Sequence, residues 1–474
     1  MPSSSPLLNV PAEIIHNICE KIINSAECVQ SGNYAPPGCP IKEAPWWFAL
    51  PGYPALINLR LACTSLAAIA EPFMYQRLHL QFRDPSKNEA ALKKLTRHPE
   101  LASRIKRLAV STWYQKGDKF DGSYLLGEAA RLKCQVPVGA MSDLKAGVKD
   151  IWAWGEMLQA LTIDLAMVHA PGIEELVLYY DNEDLQLGRW VPGGFELGSL
   201  RHVKIYVGQN WESESLLFRN FLPWCTPKLE TLLIQRYKMT AEDYECLFWA
   251  PCDNLRALDL DEIICISPQE VAGIVEAAPL LESFRCTWHW DHLQSQIPTT
   301  PCNILEGLYP LRETLRHLDL DLMLLTQAEE PREDFNLLPE FTGLHRLQIN
   351  FRGAFNTPKT YSDSKFLVEC LPPNIKTLSL LRMTYSLDDS MEELAQAIKA
   401  GRFPALKEIW FPKNWQDPGE SDAEAVEKFF EGTDVSVREN DWDGQMWYLD
   451  YISRDVPDDS DDSDDEMEEG DGED

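Results

Sequence analysis

The side chains with the most chemical potential lie in the middle of the chain. His289-Trp-Asp-His292 sets two imidazoles three residues apart around an aspartate, with Cys286 and Cys302 as the tempting thiols. A zinc site needs three or four donors converging on one point. That spacing is incomplete here, so ordinary core or surface histidines are expected. Asp259/Asp261 and Asp319/Asp321 are paired carboxylates, the residue type used for general acid–base work. Each pair alternates with leucine in a strand-like segment, which predicts that the carboxylates line a sheet face rather than meet in a pocket. No G-x-S-x-G, Walker loop, H-E-x-x-H or G-x-G-x-x-G accompanies them. The expectation is no catalytic residue, no metal and no cofactor.

The elements that carry these residues repeat. Large apolar residues at positions 1, 4 and 6 recur as IKRLAV (105–110), IEELVL (173–178), LRHVKI (200–205), LETLLI (229–234) and LRALDL (255–260). The series continues as LESFRC (281–286), LRHLDL (315–320), LHRLQI (344–349), IKTLSL (375–380) and LKEIWF (406–411). From Ile173 the starts fall 27, 29, 26, 26, 34, 29, 31 and 31 residues apart. Positions 4 and 6 alternate with polar neighbours, the period of a strand buried on one face. Between strands, Thr240-Ala-Glu-Asp243, Ser267-Pro-Gln-Glu270 and Ser421-Asp-Ala-Glu424 read as capping boxes that open helices. Residues 142–170 predict one or two long helices, and Asp443-Gly444 predicts a hairpin over 435–452 that caps the array.

This unit resembles the leucine-rich repeat, although the Asn or Cys expected three residues past the third apolar position is mostly replaced. The resemblance implies an α/β solenoid with a parallel sheet on its concave face. The competing architecture is a doubly wound α/β enzyme, whose strands are usually continuous apolar runs. In the solenoid, Tyr179, Lys204, Tyr206, Asp259, Asp261, Arg285, Asp319, Asp321, Arg346, Gln348 and Trp410 occupy the alternate, outward slots. Acidic, basic and aromatic groups interleaved in this way suit capture of a target protein.

Charge and composition narrow the class. The net charge is −32, and residues 455–474 hold thirteen acids and no base. No basic stripe marks a nucleic-acid binder, and the acidic block is expected to be a disordered tail. It reads as a solubilising end or as a docking tail for basic proteins, and Ser463 lies in an acidophilic-kinase context. Twelve scattered cysteines fit a reducing compartment. With no signal peptide and no membrane-length apolar run, a cytoplasmic or nuclear location is expected.

The N-terminus carries a second resemblance. Pro11 opens a stretch in which Ile14, Ile18 and Ile22 recur every four residues, with Ile15 and Cys19 beside them. A second helical face follows at Leu59, Ala62, Cys63, Leu66 and Ile69. Val10-Pro11-Ala12-Glu13-Ile14 with Leu56 and Leu59-Arg60-Leu61-Ala62-Cys63 together resemble a split F-box. An F-box followed by leucine-rich repeats is similar to fungal F-box proteins. The resemblance implies a non-catalytic receptor subunit of a ubiquitin ligase. It would bind a Skp-type adaptor, and through it a cullin–RING ligase, by Val10, Pro11, Ile14, Ile18, Leu56, Leu59, Cys63 and Leu66.

The implied organisation is an F-box-like segment over 1–80 with an inserted loop at about 27–54, then a first repeat and helical insertion over 81–172. The solenoid follows over 173–431, with the hairpin cap over 432–454 and the acidic tail over 455–474. The alternative functions are a repeat scaffold with no ligase link, whose N-terminal helices only cap the solenoid, and an α/β hydrolase or transferase.

Overall fold

The computed structural model describes residues 11–28, 56, 58–59, 61–82, 85–111, 122–134, 151–180, 191–192, 195–207, 226–235, 252–263, 268–288, 301–321, 335–350, 364–381, 388–412 and 423–440. Twelve strands form one sheet in strict chain order: β1 (Arg77–Gln81), β2 (Arg107–Ser111), β3 (Glu175–Tyr180), β4 (His202–Val207), β5 (Thr231–Gln235), β6 (Ala257–Ile263), β7 (Ser283–Trp288), β8 (His317–Asp321), β9 (Arg346–Asn350), β10 (Thr377–Leu381), β11 (Glu408–Pro412) and β12 (Ser436–Asn440). Every neighbouring pair is parallel. Parallel neighbours need a crossover for each step. A sheet that adds strands in one direction has no point where the strand order reverses, so it is solenoid-like rather than doubly wound.

The crossovers place α3 (Pro85–Arg97), α4 (Pro99–Ala102), α5 (Ser123–Arg131), α6 (Ile151–His169), α7 (Pro268–Ala277), α8 (Pro301–Leu308), α9 (Phe366–Cys370), α10 (Asp388–Lys399) and α11 (Ala423–Phe429) between strands. Every described residue at repeat positions 1, 4 and 6 is buried, from Ile105, Leu108 and Val110 through Leu406 and Ile409, in one continuous core with the helices. The repeat therefore works by giving each strand two inward leucine-type side chains and one anchor just before it. Helix α7 begins at Pro268, where the fixed φ and missing N–H of proline cost nothing. Helix α10 ends on Gly401 at φ +82°, with Arg402 N–H to the Ala397 carbonyl and Gly401 N–H to the Ile398 carbonyl, a Schellman stop.

Two strands extend the series read from sequence. β1 carries Leu78 and Leu80 at the same two positions, and Leu80 is fully buried. β12 carries Val437 and then Glu439, so its pattern is too degraded to be legible. The expected hairpin begins at 435, and its first arm falls on β12, which pairs parallel to β11. Its second arm lies outside the described residues, as do Thr240–Asp243, His289, His292 and the acidic tail. Among the described residues no helix is long and apolar enough to cross a membrane.

Ahead of the sheet, α1 (Ala12–Cys28) packs on α2 (Thr64–Met74) around a small core of its own, and α2 leads directly into β1.

Candidate functional site

The helical pair sorts its apolar residues onto two faces. Pro11 accepts the first-turn bonds, Ile14 N–H at 3.1 Å and Ile15 N–H at 3.3 Å. Ile15 and Cys19 then turn inward against Leu56, Leu66, Ala70 and Phe73, with Leu59, Cys63 and Ile69 packed around them. His16 meets the Phe73 ring edge-to-face at 4.6 Å. One residue earlier in each case, a 100° step takes Ile14 and Ile18 out of that core, and they are 49% and 46% exposed. Leu61 is 77% exposed. Only four large hydrophobics among the described residues are exposed; two lie on α1, and Leu61 stands three residues before α2.

The eight residues expected to hold an adaptor therefore divide. Ile14 and Ile18 are open, and Pro11 is exposed beside them. Leu56 and Leu66 are interior, and Leu59 and Cys63 are half-buried, because α2 and the residues just before it pack that face against α1. Val10 lies outside the described residues. Leu61 was visible in the Leu-Arg-Leu run yet absent from the expected set, because a stripe defined by Leu59, Ala62 and Leu66 places it on the opposite side.

The outward face of the sheet is a set of ladders. In register, Lys204 faces Leu233, Asp259 faces Arg285, Arg285 faces Asp319, and Asp319 faces Gln348, ending at Trp410 beside Ser379. The next ladder runs Tyr179, Tyr206, Gln235, Asp261, then Thr287 and Asp321, paired through the β7–β8 register. Tyr179 and Tyr206 stack at 4.9 Å with planes 10° apart. Beneath them Glu175 takes Lys204 at 2.9 Å and Arg107 at 3.2 Å. Burial pushes the Glu175 carboxyl up, but the two cations outweigh it and hold it below the ordinary range.

The expected carboxylates meet after all. Arg285 reaches Asp259 at 3.4 Å, Asp261 at 3.3 Å and Asp319 at 3.1 Å. Thr287 donates to Asp261 at 2.6 Å and Gln348 to Asp319 at 2.8 Å. Two strands apart is only about 10 Å, so one guanidinium on the middle strand bridges both sides. Asp259, Arg285, His317, Asp319, Arg346 and Gln348 line a depression of about 280 Å³. Asp321 is in register, and its side chain lies outside the described set. Burial, and next the opposing pull of Arg285, leave Asp259 raised to about 6. Arg285 is pushed higher still than an ordinary arginine, since three carboxylates outweigh its burial.

That shift makes a pH prediction. Folding raises the Asp259 pKa above its unfolded value of about 3.9, so the folded state holds the proton more tightly. Stability from this group is present at acidic pH and declines as pH rises through about 4 to 6. Relative to an Asp259→Asn chain, the wild type should lose urea midpoint between pH 4 and 7. A constant difference would show that Asp259 is ionised normally.

Chemically the face offers acceptors and aromatic rings. Arg285, expected as a partner contact, is occupied by its own carboxylates; Arg346 is exposed and has no ion pair among the described residues. Among the described residues no group of three or more His, Cys, Asp or Glu could hold a metal ion. Cys286 points into the core.

No protein-family model matches the chain, and no curated protein matches it.

Proposed function

We propose that the chain is the substrate-recognition subunit of a Skp–cullin–F-box type ubiquitin ligase. The helical pair is the F-box, which docks a Skp-type adaptor, and the leucine-rich solenoid presents its concave face to a target protein. The chain itself does no chemistry; it holds the target near transferring residues on other subunits. A cytoplasmic or nuclear setting goes with that role.

The observation that carries the reading is the split of one helix into a buried and an open apolar face. Were the pair only a solenoid cap, Ile14 and Ile18 would be covered; they are about half exposed while Ile15 and Cys19 complete the local core. Exposed isoleucines cost solubility and suit an interface, and covering the exposed half of each is worth roughly 1 kcal/mol before association costs.

The test is co-purification of the full chain with a Skp-type adaptor beside an Ile14→Asp/Ile18→Asp variant. Both positions are outside the core, so the variant should keep its circular dichroism while binding falls about 100-fold or more. If neither protein captures the adaptor, the pair is a cap and the scaffold alternative takes over.

A further inference from the structure

The residue just before each strand forms a ladder of its own along the sheet's N-terminal rim. Backbone hydrogen bonds run from Glu174 N–H to Lys106 carbonyl, Arg201 to Glu174, Glu230 to Arg201, Arg256 to Glu230 and Glu282 to Arg256. They continue from Arg316 to Glu282, His345 to Arg316, Lys376 to His345 and Lys407 to Lys376. Over the first six members the charges alternate and pair: Lys106 with Glu174 at 2.5 Å, Arg201 with Glu230, and Arg256 with Glu282. After Glu282 the alternation stops. Arg316, His345, Lys376 and Lys407 follow with no acid between them.

The acids bordering this run are already engaged. Glu282 holds Arg256, Glu313 lies 3.7 Å from Arg312, and Glu408 lies 3.8 Å from Arg438. Asp434 reaches Lys407 at 3.6 Å, where it is 92% exposed. Among the described residues no ion pair joins Arg316, Arg346 or Lys376, and all three are exposed. Burial, then Lys376, Arg316 and His317, keep the His345 imidazole below the ordinary histidine range. The densest block of opposite charge in the chain is residues 455–474, with thirteen acids and no base.

We propose that this basic rim over β8–β11 is the docking surface for the chain's own acidic segment 455–474. Residues 441–454 separate that segment from β12. Fourteen residues span up to about 46 Å when extended; the linker leaves β12 at the opposite, C-terminal rim, so it must run back about 17 Å along a five-residue strand and across four strand spacings, about 19 Å, to reach β8, roughly 25 Å in all. The segment therefore reaches every cation on the rim, at an effective concentration in the millimolar range for a short tether. Multiple exposed pairs, each weak alone, add along the stripe and weaken as salt rises.

The test is zero-length carbodiimide coupling of carboxylates to lysines in the full chain, prepared as an equal mixture of nitrogen-14 and nitrogen-15 protein and mapped by mass spectrometry. Lys376 and Lys407 should couple to residues 455–474 of the same chain at least about fivefold more than Lys106, which Glu174 occupies. Raising salt from about 0.05 to 0.5 M should remove the excess. In an Arg316→Glu/Lys376→Glu variant, coupling at Lys407 should fall by a similar factor, and replacing the thirteen tail acids with Asn and Gln should abolish it without touching any described residue. Equal coupling at all exposed lysines overturns the proposal. So do links of which about half join different isotopes, the statistical outcome of coupling between chains in an equal mixture, which would make a second copy the occupant.

Discussion

Replacing Gly343 with alanine is expected to cost about 3 kcal/mol or more, the largest effect of any one-carbon change in the sheet-bearing region. The turn before β9 lies directly on the turn before β8. Gly343 N–H donates to the Arg312 carbonyl at 3.0 Å, and a β-carbon there would stand 2.6 Å from the Glu313 carbonyl carbon, closer still to its oxygen, and 3.1 Å from the Leu315 oxygen. These are backbone atoms, so no rotamer change relieves the clash, and the two repeats must separate. In an array held by neighbour contacts the damage should begin at that interface. Hydrogen exchange should therefore speed most at the β8 and β9 amides, with the urea midpoint falling as well. Gly127→Ala is the control. Gly127 is exposed in α5, and an added β-carbon meets nothing within 4 Å. There alanine should raise stability by about 0.5–1 kcal/mol. Equal effects at the two positions would mean that close approach is not the reason for Gly343.

Arg285→Met is the second. Methionine keeps much of the side-chain length and removes the charge, leaving Asp259, Asp261 and Asp319 to face one another across three strands. Stripping the counter-charge from buried acids is far more costly than exchanging a whole ion pair for apolar groups. With 16–26% of each carboxylate side chain still exposed, the expected loss at pH 7 is about 2–4 kcal/mol. The sign with pH follows from the same charges. Without the guanidinium the carboxyls bind protons more readily in the folded state, so the deficit should shrink as pH falls toward 5. Urea titrations of wild type and variant at pH 7 and pH 5 check both statements. A deficit that is the same at both pH values would mean that the loss comes from packing and not from charge. Because Arg285 has this internal role, a loss of target capture in any Arg285 variant must be read beside its stability, whereas Tyr206, Arg346 and Trp410 report on the open face more directly.

How much of this was legible depends on whether a feature is carried by spacing or by contact. Leu176, Leu178, Leu318 and Leu320 announce a one-sided strand because a pleat alternates every residue, and their partners every 26–34 residues announce the stack. β12 read as a hairpin arm and not as a further repeat because Asp434 and Glu439 occupy two of its three apolar positions. Ile14 and Ile15 are equally apolar, so composition cannot say which one meets α2; the packing phase of the two helices decides that. Leu56 and Leu66 look like surface contacts until that same packing buries them. Asp259 and Asp319 are 60 residues apart in the chain, and nothing local predicts that Arg285 would bridge them.

The sequence by itself determined the period of the fold, the inward residues of ten strands, the outward placement of the acidic, basic and aromatic side chains, and the concentration of negative charge after residue 454. Each of these is a property of neighbours along the chain. Only the tertiary structure decided which outward charges cancel, which isoleucines stay open, and where three cations and an imidazole follow one another without an acid. Those depend on residues 26–34 positions apart being brought to about 5 Å by parallel pairing, a distance at which Coulomb attraction and steric exclusion outweigh any local preference.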